Sequence, residues 1–194
     1  GITVVRSYGS SETAGGCVYD GLPLDGVEVR LENSGDDCGG LDGIGSVVIG
    51  GATLAVGYRN PPDPDPVSEP GWFHTDDIGR FDDSGRLVIL GRADEAISTG
   101  GLTVMPGPVE AVLGRHPEVA ECAVFGVADD RLGQRVVAAV VLTPGAAPTL
   151  AELRDFISQS LDSTAAPREL HVVEGLPRRG IGKLDRAALR QLFG

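Results

Sequence analysis

Hydrophobic patterning in this 194-residue chain changes character at GRADEAIS (91–98), and that break limits what it can fold into more than any other feature. Before it the chain reads as short strands and turns. After it, helical and strand periods alternate. No internal repeat bridges the change, so the chain is expected to be α+β, with a small α+β domain of its own from about residue 95 onward.

In the first part, VEVRLEN (27–33) alternates apolar and polar positions, and GSVVIGG (45–51) is an apolar run closed by glycines. DIGRFDDSGRLVILGR (77–92) reads as a hairpin around the turn-forming DDSG. NPPDPDPVSEPG (60–71) cannot pair as a central strand, because proline lacks the amide donor. In the second part, GPVEAVLGRHP (107–117) carries Val109, Val112 and Leu113 at helical spacing between Pro108 and Pro117. ECAVFGV and RVVAAVVL read as strands on either side of ADDRLGQ. Thr149 and Glu152 form a capping box before LAELRDFISQSL, whose Leu150, Leu153, Ile157 and Leu161 share a face. ELHVVEG predicts a strand and DRAALRQLF a closing helix.

Hydrophobic residues at 41% and charged residues at 23% describe a soluble globular protein. No apolar run approaches the roughly 20 residues of a membrane span, and no basic-then-apolar leader opens the chain. Cys17, Cys38 and Cys122 lie far apart with no CxxC spacing, which fits reduced thiols in a cytoplasm better than disulfides or zinc. The net charge of −12 is uneven: 6 Arg against 16 Asp+Glu over 1–94 (−10), and 10 Arg+Lys against 12 Asp+Glu over 95–194 (−2). An acidic chain with no basic stripe argues against nucleic acid or an anionic membrane as partner. A metal ion should help bring in a polyanionic ligand, although excess acid that merely keeps the protein soluble explains most of the charge.

Three stretches could carry chemistry. RSYGSSET (6–13) runs from a strand into a loop of small hydroxylic residues ending in Glu12, suited to phosphate oxygens with a magnesium ion opposite, though serine-rich turns are usually only turns. GWFHTDDIGRF (71–81) offers two carboxylates beside a threonine at a strand start, able to accept ribose hydroxyls or equally to be solvated turn residues. RRGIGKLDR (178–186) holds Lys183, the only lysine; the other fifteen basic residues are arginine. A compact ammonium on a flexible stem can reach into a site and touch several oxygens, but composition alone favours the plainer account, codon bias plus chance on a solvated loop. The GIGK stretch is not a phosphate-binding Walker loop, since Pro177 occupies its first glycine position and Leu184 follows the lysine. His74, His116 and His171 show no metal spacing, and no GxSxG or HExxH is present, so each is read as an ordinary buried or surface histidine and metal and serine hydrolases are disfavoured.

Taken in order, YGSSET, GSVVIGGATLAVGY, GWFHTDDIGRF, GRADEAISTGG and PRRGIGKLDR resemble the consecutive core motifs of adenylate-forming enzymes: acyl-CoA synthetases, nonribosomal-peptide adenylation domains and luciferases. The family patterns are YGxTE, GELxIxGxxxxxGY, YRTGD, GRxDDxIxxxG and PxxxxGKxDR. The resemblance implies that residues 1–93 are the β-rich end of a large ATP- and acyl-binding domain. Residues 94–194 would be a mobile lid domain with a short sheet and flanking helices, hinged at Asp94. It implies ATP, Mg2+ and CoA as cofactor and co-substrates and a small carboxylic acid as substrate, with any assembly of copies formed through the large domain.

By the same resemblance Tyr8 would lie against adenine, with Gly9 and Ser10 beside it in the nucleotide loop. Ser11 would bond phosphate and Glu12 would hold magnesium. Asp77 would take the ribose hydroxyls, complemented by Arg92; Asp76 stands where the family has glycine. Gly100 and Gly101 would let the backbone approach the arm of the thiol. Lys183 would stabilise the charge that develops as the acid attacks the α-phosphate. The glycine-rich ATP loop that precedes YGxTE in the family does not occur in this sequence, nor does most of the acyl pocket. The chain thus resembles the C-terminal portion of a longer enzyme, and by itself is expected to be inactive.

STGGLTVMPGPVEAVL together with LPRRGIGKLDR most resembles bacterial o-succinylbenzoate–CoA ligases of menaquinone synthesis. Other fatty or aryl acid–CoA ligases, a peptide-synthetase adenylation domain and a non-catalytic nucleotide-binding module are the alternatives.

Overall fold

The computed structural model describes residues 2–32, 43–67, 69–180 and 182–194; Cys38 lies outside them. The chain divides into two compact units, Gly1–Asp94 and Glu95–Gly194.

In the first unit, strand β1 (Ser7–Ser10) runs into a 3-10 turn at Ser11–Thr13 and then into β2 (Gly15–Tyr19) and β3 (Leu22–Pro23), an antiparallel sheet in the order β1-β2-β3. The alternating segment forms β4 (Val27–Glu32), the apolar run β5 (Ile44–Gly51), and the expected hairpin β6 (Trp72–Phe81) and β7 (Leu87–Arg92). These four make a second antiparallel sheet in sequence order. Its apolar face, with Val27, Val47, Ile49 and Leu87, packs with Cys17 and Val18 of the first sheet. The Pro/Asp stretch stays outside both sheets.

One boundary differs from the expectation. Strand β6 begins at Trp72 rather than Asp77, because Trp72, Phe73 and His74 pair with Gly50, Ile49 and Val48 of β5. The two aspartates therefore lie inside a strand and not at its start.

The second unit opens with the short strands β8 (Ile97–Thr99) and β9 (Leu102–Val104) and helix α1 (Pro106–Leu113). Strands β10 (Val119–Asp129) and β11 (Gly133–Leu142) form a long antiparallel pair, followed by helix α2 (Leu150–Ser158) and β12 (Glu169–Val172), which lies parallel to β11. The sheet order is β10-β11-β8-β9, with β12 also on β11. A two-stranded ribbon, β13 (Arg178–Arg179) with β14 (Lys183–Leu184), precedes helix α3 (Arg186–Phe193).

The period of two decides the packing here. Val124, Val136, Ala138 and Val140 face α1 and α2, together with Val109, Val112, Leu153 and Ile157. Their neighbours Ala123, Phe125, Val137 and Ala139 face the other way and meet Leu189 of α3. A sheet buried on both faces has no polar positions to alternate with, which is why RVVAAVVL reads as a continuous apolar run. The capping box forms: Thr149 Oγ1 accepts from Glu152 N at 3.2 Å and Glu152 Oε2 accepts from Thr149 N at 2.8 Å. Helix α2 stops at Ser158, so Leu161 reaches the core from the following turn and not from the helix.

Candidate functional site

A cleft of about 710 Å³ opens in the first unit, bordered by Tyr8, Gly9 and Ser10 from β1, Glu12 from the 3-10 turn, Tyr58 and residues of the Pro/Asp loop, and Asp76, Asp77 and Arg92 from β6 and β7. Strand β1 can carry Gly9 past β2 because there is no side chain to accommodate: a Cβ at Gly9 would stand 2.0 Å from the Gly15 carbonyl oxygen. The turn after it is fixed by Thr13, whose buried hydroxyl accepts from Ser10 N at 2.8 Å and donates to Gly15 O at 2.8 Å. Glu12 is thereby presented to the cleft, with its own carbonyl accepting from Ala55 N at 2.8 Å.

Adjacent strand residues ordinarily point to opposite faces. Ser46 pairs with Ile78 and Val48 with His74, so Thr75, Asp76 and Asp77 stand opposite Val47 alone, and β6 bulges. Such a bulge re-aims side chains, and both aspartates border the same cleft. Thr75 Oγ1 donates to Val47 O at 2.7 Å and accepts from Asp77 N at 3.1 Å, holding the bulge on the sheet.

Each carboxylate has a distinct partner. The Tyr8 hydroxyl donates to Asp77 Oδ2 at 2.7 Å, and burial pushes that phenol far above its usual range, so it remains a donor at neutral pH. Tyr58 donates to Glu12 Oε1 at 2.5 Å, which holds the Glu12 carboxyl below its ordinary value and pushes the Tyr58 phenol up to about 12. Arg92 lies opposite Asp77 in strand register, yet its guanidinium meets Asp94 (Nε, 3.0 Å) and Asp76 (3.0 Å), the bond to Asp94 contributing most to raising its pKa. Ser11 is exposed at the start of the turn.

Among the described lining residues, Glu12, Asp63, Asp65, Asp76 and Asp77 face a single arginine. A bare polyphosphate would be repelled from such a surface, and a divalent cation would reverse that. Glu12, ionised and held by a neutral donor, supplies a hard oxygen of the kind magnesium takes. Sequence reading missed one member of this site: Tyr58 closes the GSVVIGGATLAVGY stretch but carried no assigned role. Asp76 is one of the two carboxylates read in GWFHTDDIGRF, with the ribose given to Asp77.

The remaining candidates lie in the second unit. Gly100 and Gly101 form the two-residue loop between β8 and β9, with φ of 59° and 81°. Left-handed backbone at both positions is the type I′ hairpin turn, which favours glycine and gives these residues a structural reason independent of any ligand. The Gly100 amide donates to Leu132 O at 2.8 Å. Lys183 is exposed on β14, paired with Arg179.

The histidines do structural work. His116 packs edge-on against Phe156 and His171 stacks on Phe193 with centroids 4.0 Å apart. His74 sits between Glu32 (3.3 Å) and Glu69 (3.1 Å), a grouping that sequence spacing could not show. Arg30 bonds both of these glutamates and lies 4.0 Å above the Trp72 ring, so the cluster already contains its cation. Cys17 is buried and Cys122 half-buried, both as free thiols. No helix among the described residues is long and apolar enough to cross a membrane.

Residues 108–183 match the AMP-binding enzyme C-terminal domain. The whole chain is 66% identical over 196 aligned residues to a "Probable 2-succinylbenzoate--CoA ligase" of Mycobacterium tuberculosis (strain CDC 1551 / Oshkosh), of which it covers 49%. Among solved structures, the amide bond synthetase McbA from Marinactinospora thermotolerans superposes with a TM-score of 0.86 at 29% identity, over 98% of this chain and 42% of that one. The o-succinylbenzoate CoA synthetase (MenE) of Bacillus subtilis, in complex with the acyl-adenylate intermediate OSB-AMP, gives 0.82 at 30% identity, over 96% of this chain and 40% of that one. The chain thus spans about half the length of the relatives it matches.

Proposed function

The chain belongs to the adenylate-forming enzymes, and from that premise we propose that it is the C-terminal portion of an AMP-forming acid–CoA ligase whose acid is o-succinylbenzoate, in menaquinone biosynthesis. The observation that carries this reading is 66% identity along the entire chain to a relative bearing that name. The cleft chemistry agrees with it: a carboxylate that is kept ionised, a second carboxylate oriented by a tyrosine, and an arginine all face one space. Free thiols at Cys17 and Cys122 suit a reducing, cytoplasmic setting.

In this reading Tyr8, Gly9 and Ser10 border the adenosine, and Asp77, held by Tyr8, accepts the ribose hydroxyls. Arg92 balances the carboxylates around it. Ser11 donates to phosphate. Glu12 would hold a magnesium ion, which would supply positive charge to offset that of the phosphates. The acid's carboxylate oxygen attacks the α-phosphorus of ATP, the bond to the β-phosphate oxygen breaks, and pyrophosphate leaves. The CoA sulfur then attacks the acyl carbon and AMP departs. Lys183 serves the first step by stabilising charge that grows during attack. Asp94 is the hinge about which residues 94–194 move between the two steps, with Gly100 and Gly101 near the thiol's arm in the second.

The test uses the full-length parent with and without Lys183→Ala. Pyrophosphate release with o-succinylbenzoate is expected to fall by about 10²–10³-fold, the scale of losing one transition-state charge stabiliser. Thioester formation from preformed acyl-adenylate and CoA is expected to persist. Survival of both steps would remove Lys183 from the mechanism, and absence of pyrophosphate release from the parent with this acid would remove the substrate assignment. The 194-residue chain alone is expected to release none.

A further inference from the structure

Arg186 begins α3 three residues after Lys183, and its guanidinium is more heavily engaged than that of any other arginine among the described residues. One terminal nitrogen donates to both carboxylate oxygens of Glu110, at 2.7 and 2.8 Å. The other donates to Glu95 at 3.0 Å, and Nε donates to the Val124 carbonyl at 3.2 Å. The side chain is only 14% exposed. Glu110 sits on α1 and also accepts from Val124 N at 2.7 Å, so the same carboxylate ties helix to sheet. Glu95 follows Asp94 directly.

The ribbon that carries Lys183 is held at both ends by arginines. At its start Arg178 donates to Glu121 at 2.5 Å and to Gly182 O at 3.0 Å. That pair is about half exposed, and an exposed ion pair contributes little. At its end, Asp185 N donates to Pro177 O at 2.9 Å, the Asp185 carboxylate accepts from Ala188 N at 3.1 Å, and the Arg186 cluster follows. Between these anchors Lys183 is exposed and pairs by backbone with Arg179, while its neighbour Leu184 is half-buried against the Leu189 core. The fixed end is therefore the Arg186 end.

We propose that Arg186 is the positioning residue for Lys183: through Glu110 and Glu95 it fixes the β13–β14 ribbon to α1, to β10 and to the residue after Asp94. This rests on the reading of Lys183 given above. Three separate guanidinium nitrogens reach Val124, Glu95 and Glu110, a span that the single nitrogen of an ammonium would not reproduce although it would keep the charge.

The experiment compares Arg186→Lys, Glu110→Gln, Lys183→Ala and the double variant Arg186→Lys/Lys183→Ala in the full-length parent. Glu110→Gln loosens the same cluster without touching α3, and serves if Arg186→Lys fails to fold. Pyrophosphate release should fall about 10²-fold in kcat in Arg186→Lys, the scale of a displacement near 1 Å, with KM for ATP little changed. Thioester formation from acyl-adenylate should be retained. The double variant should be no slower than Lys183→Ala alone, because both act through one group. Backbone amides of β13 and β14 should exchange with deuterium faster in Arg186→Lys or Glu110→Gln, whatever the acid. If Lys183→Ala loses adenylation while Arg186→Lys keeps it with unchanged exchange, the positioning role fails alone. If Lys183→Ala adenylates normally, the reading of Lys183 fails, and positioning fails with it. A double variant slower than Lys183→Ala by the full Arg186→Lys factor also overturns the proposal.

Discussion

At Glu12 and Asp77 a tyrosine hydroxyl sets the behaviour of a carboxylate. Glu12 accepts from Tyr58, and its pKa is depressed chiefly by that bond. A carboxyl depressed in the folded state contributes stability above its unfolded pKa, and that contribution is lost as pH falls through the folded value. Tyr58→Phe should therefore raise the Glu12 pKa toward the ordinary carboxylate range, so that the carboxyl takes up its proton at higher pH. A carboxyl-carbon NMR titration of Glu12 reads this directly, and an unmoved midpoint would mean that Tyr58 does not govern the carboxylate. Glu12 was legible in YGSSET because hydroxyls and a carboxylate in one turn suggest phosphate and metal. Tyr58 was not, since 46 residues separate it from Glu12 and only the fold brings the two together.

At the scale of elements, caps and buried faces differ in weight. Thr149 caps α2 through two backbone-level bonds at the surface, whereas Leu189 is fully buried where α3 meets Phe125 and Ala139. Thr149→Ala should destabilise the protein by about 1 kcal/mol. Leu189→Ala should cost about 2–5 kcal/mol, since it leaves a cavity as well as losing burial. Urea denaturation should rank them in that order; equal midpoints would mean that α3 is loosely docked. The capping box was readable because it is local, four residues long. Strands β8 and β9 were not, because three residues carry no usable period, and the start of β6 was misread because its pairing with β5 outweighs the turn-like pair of aspartates.

Over the whole molecule, each unit has its own core. The two apolar clusters around β10 and β11 draw only on residues from Ile97 onward, and the sheet they cover is closed by helices on both faces. Residues 95–194 should accordingly fold without the rest, giving one cooperative thermal transition by circular dichroism. A broad, non-cooperative melt would mean that this core depends on residues before 95. The charge asymmetry also belongs to this scale: most of the excess acid lies before Asp94, where the cleft is.

What the sequence alone determined is everything carried by short spacing: the change of period near Asp94, the capping box of α2, the long apolar strand pair, and five ordered motifs that carry the family resemblance. These depend on neighbours a few residues apart, and the amino-acid order records them. Only the tertiary structure decided that Tyr58 serves Glu12, that Tyr8 serves Asp77, that a bulge opposite Val47 turns both Asp76 and Asp77 to one cleft, and that Arg186 joins Glu95 to Glu110. A hydrogen bond needs its partners within about 3 Å, and separations of 46 to 91 residues along the chain leave no periodic trace of who those partners are.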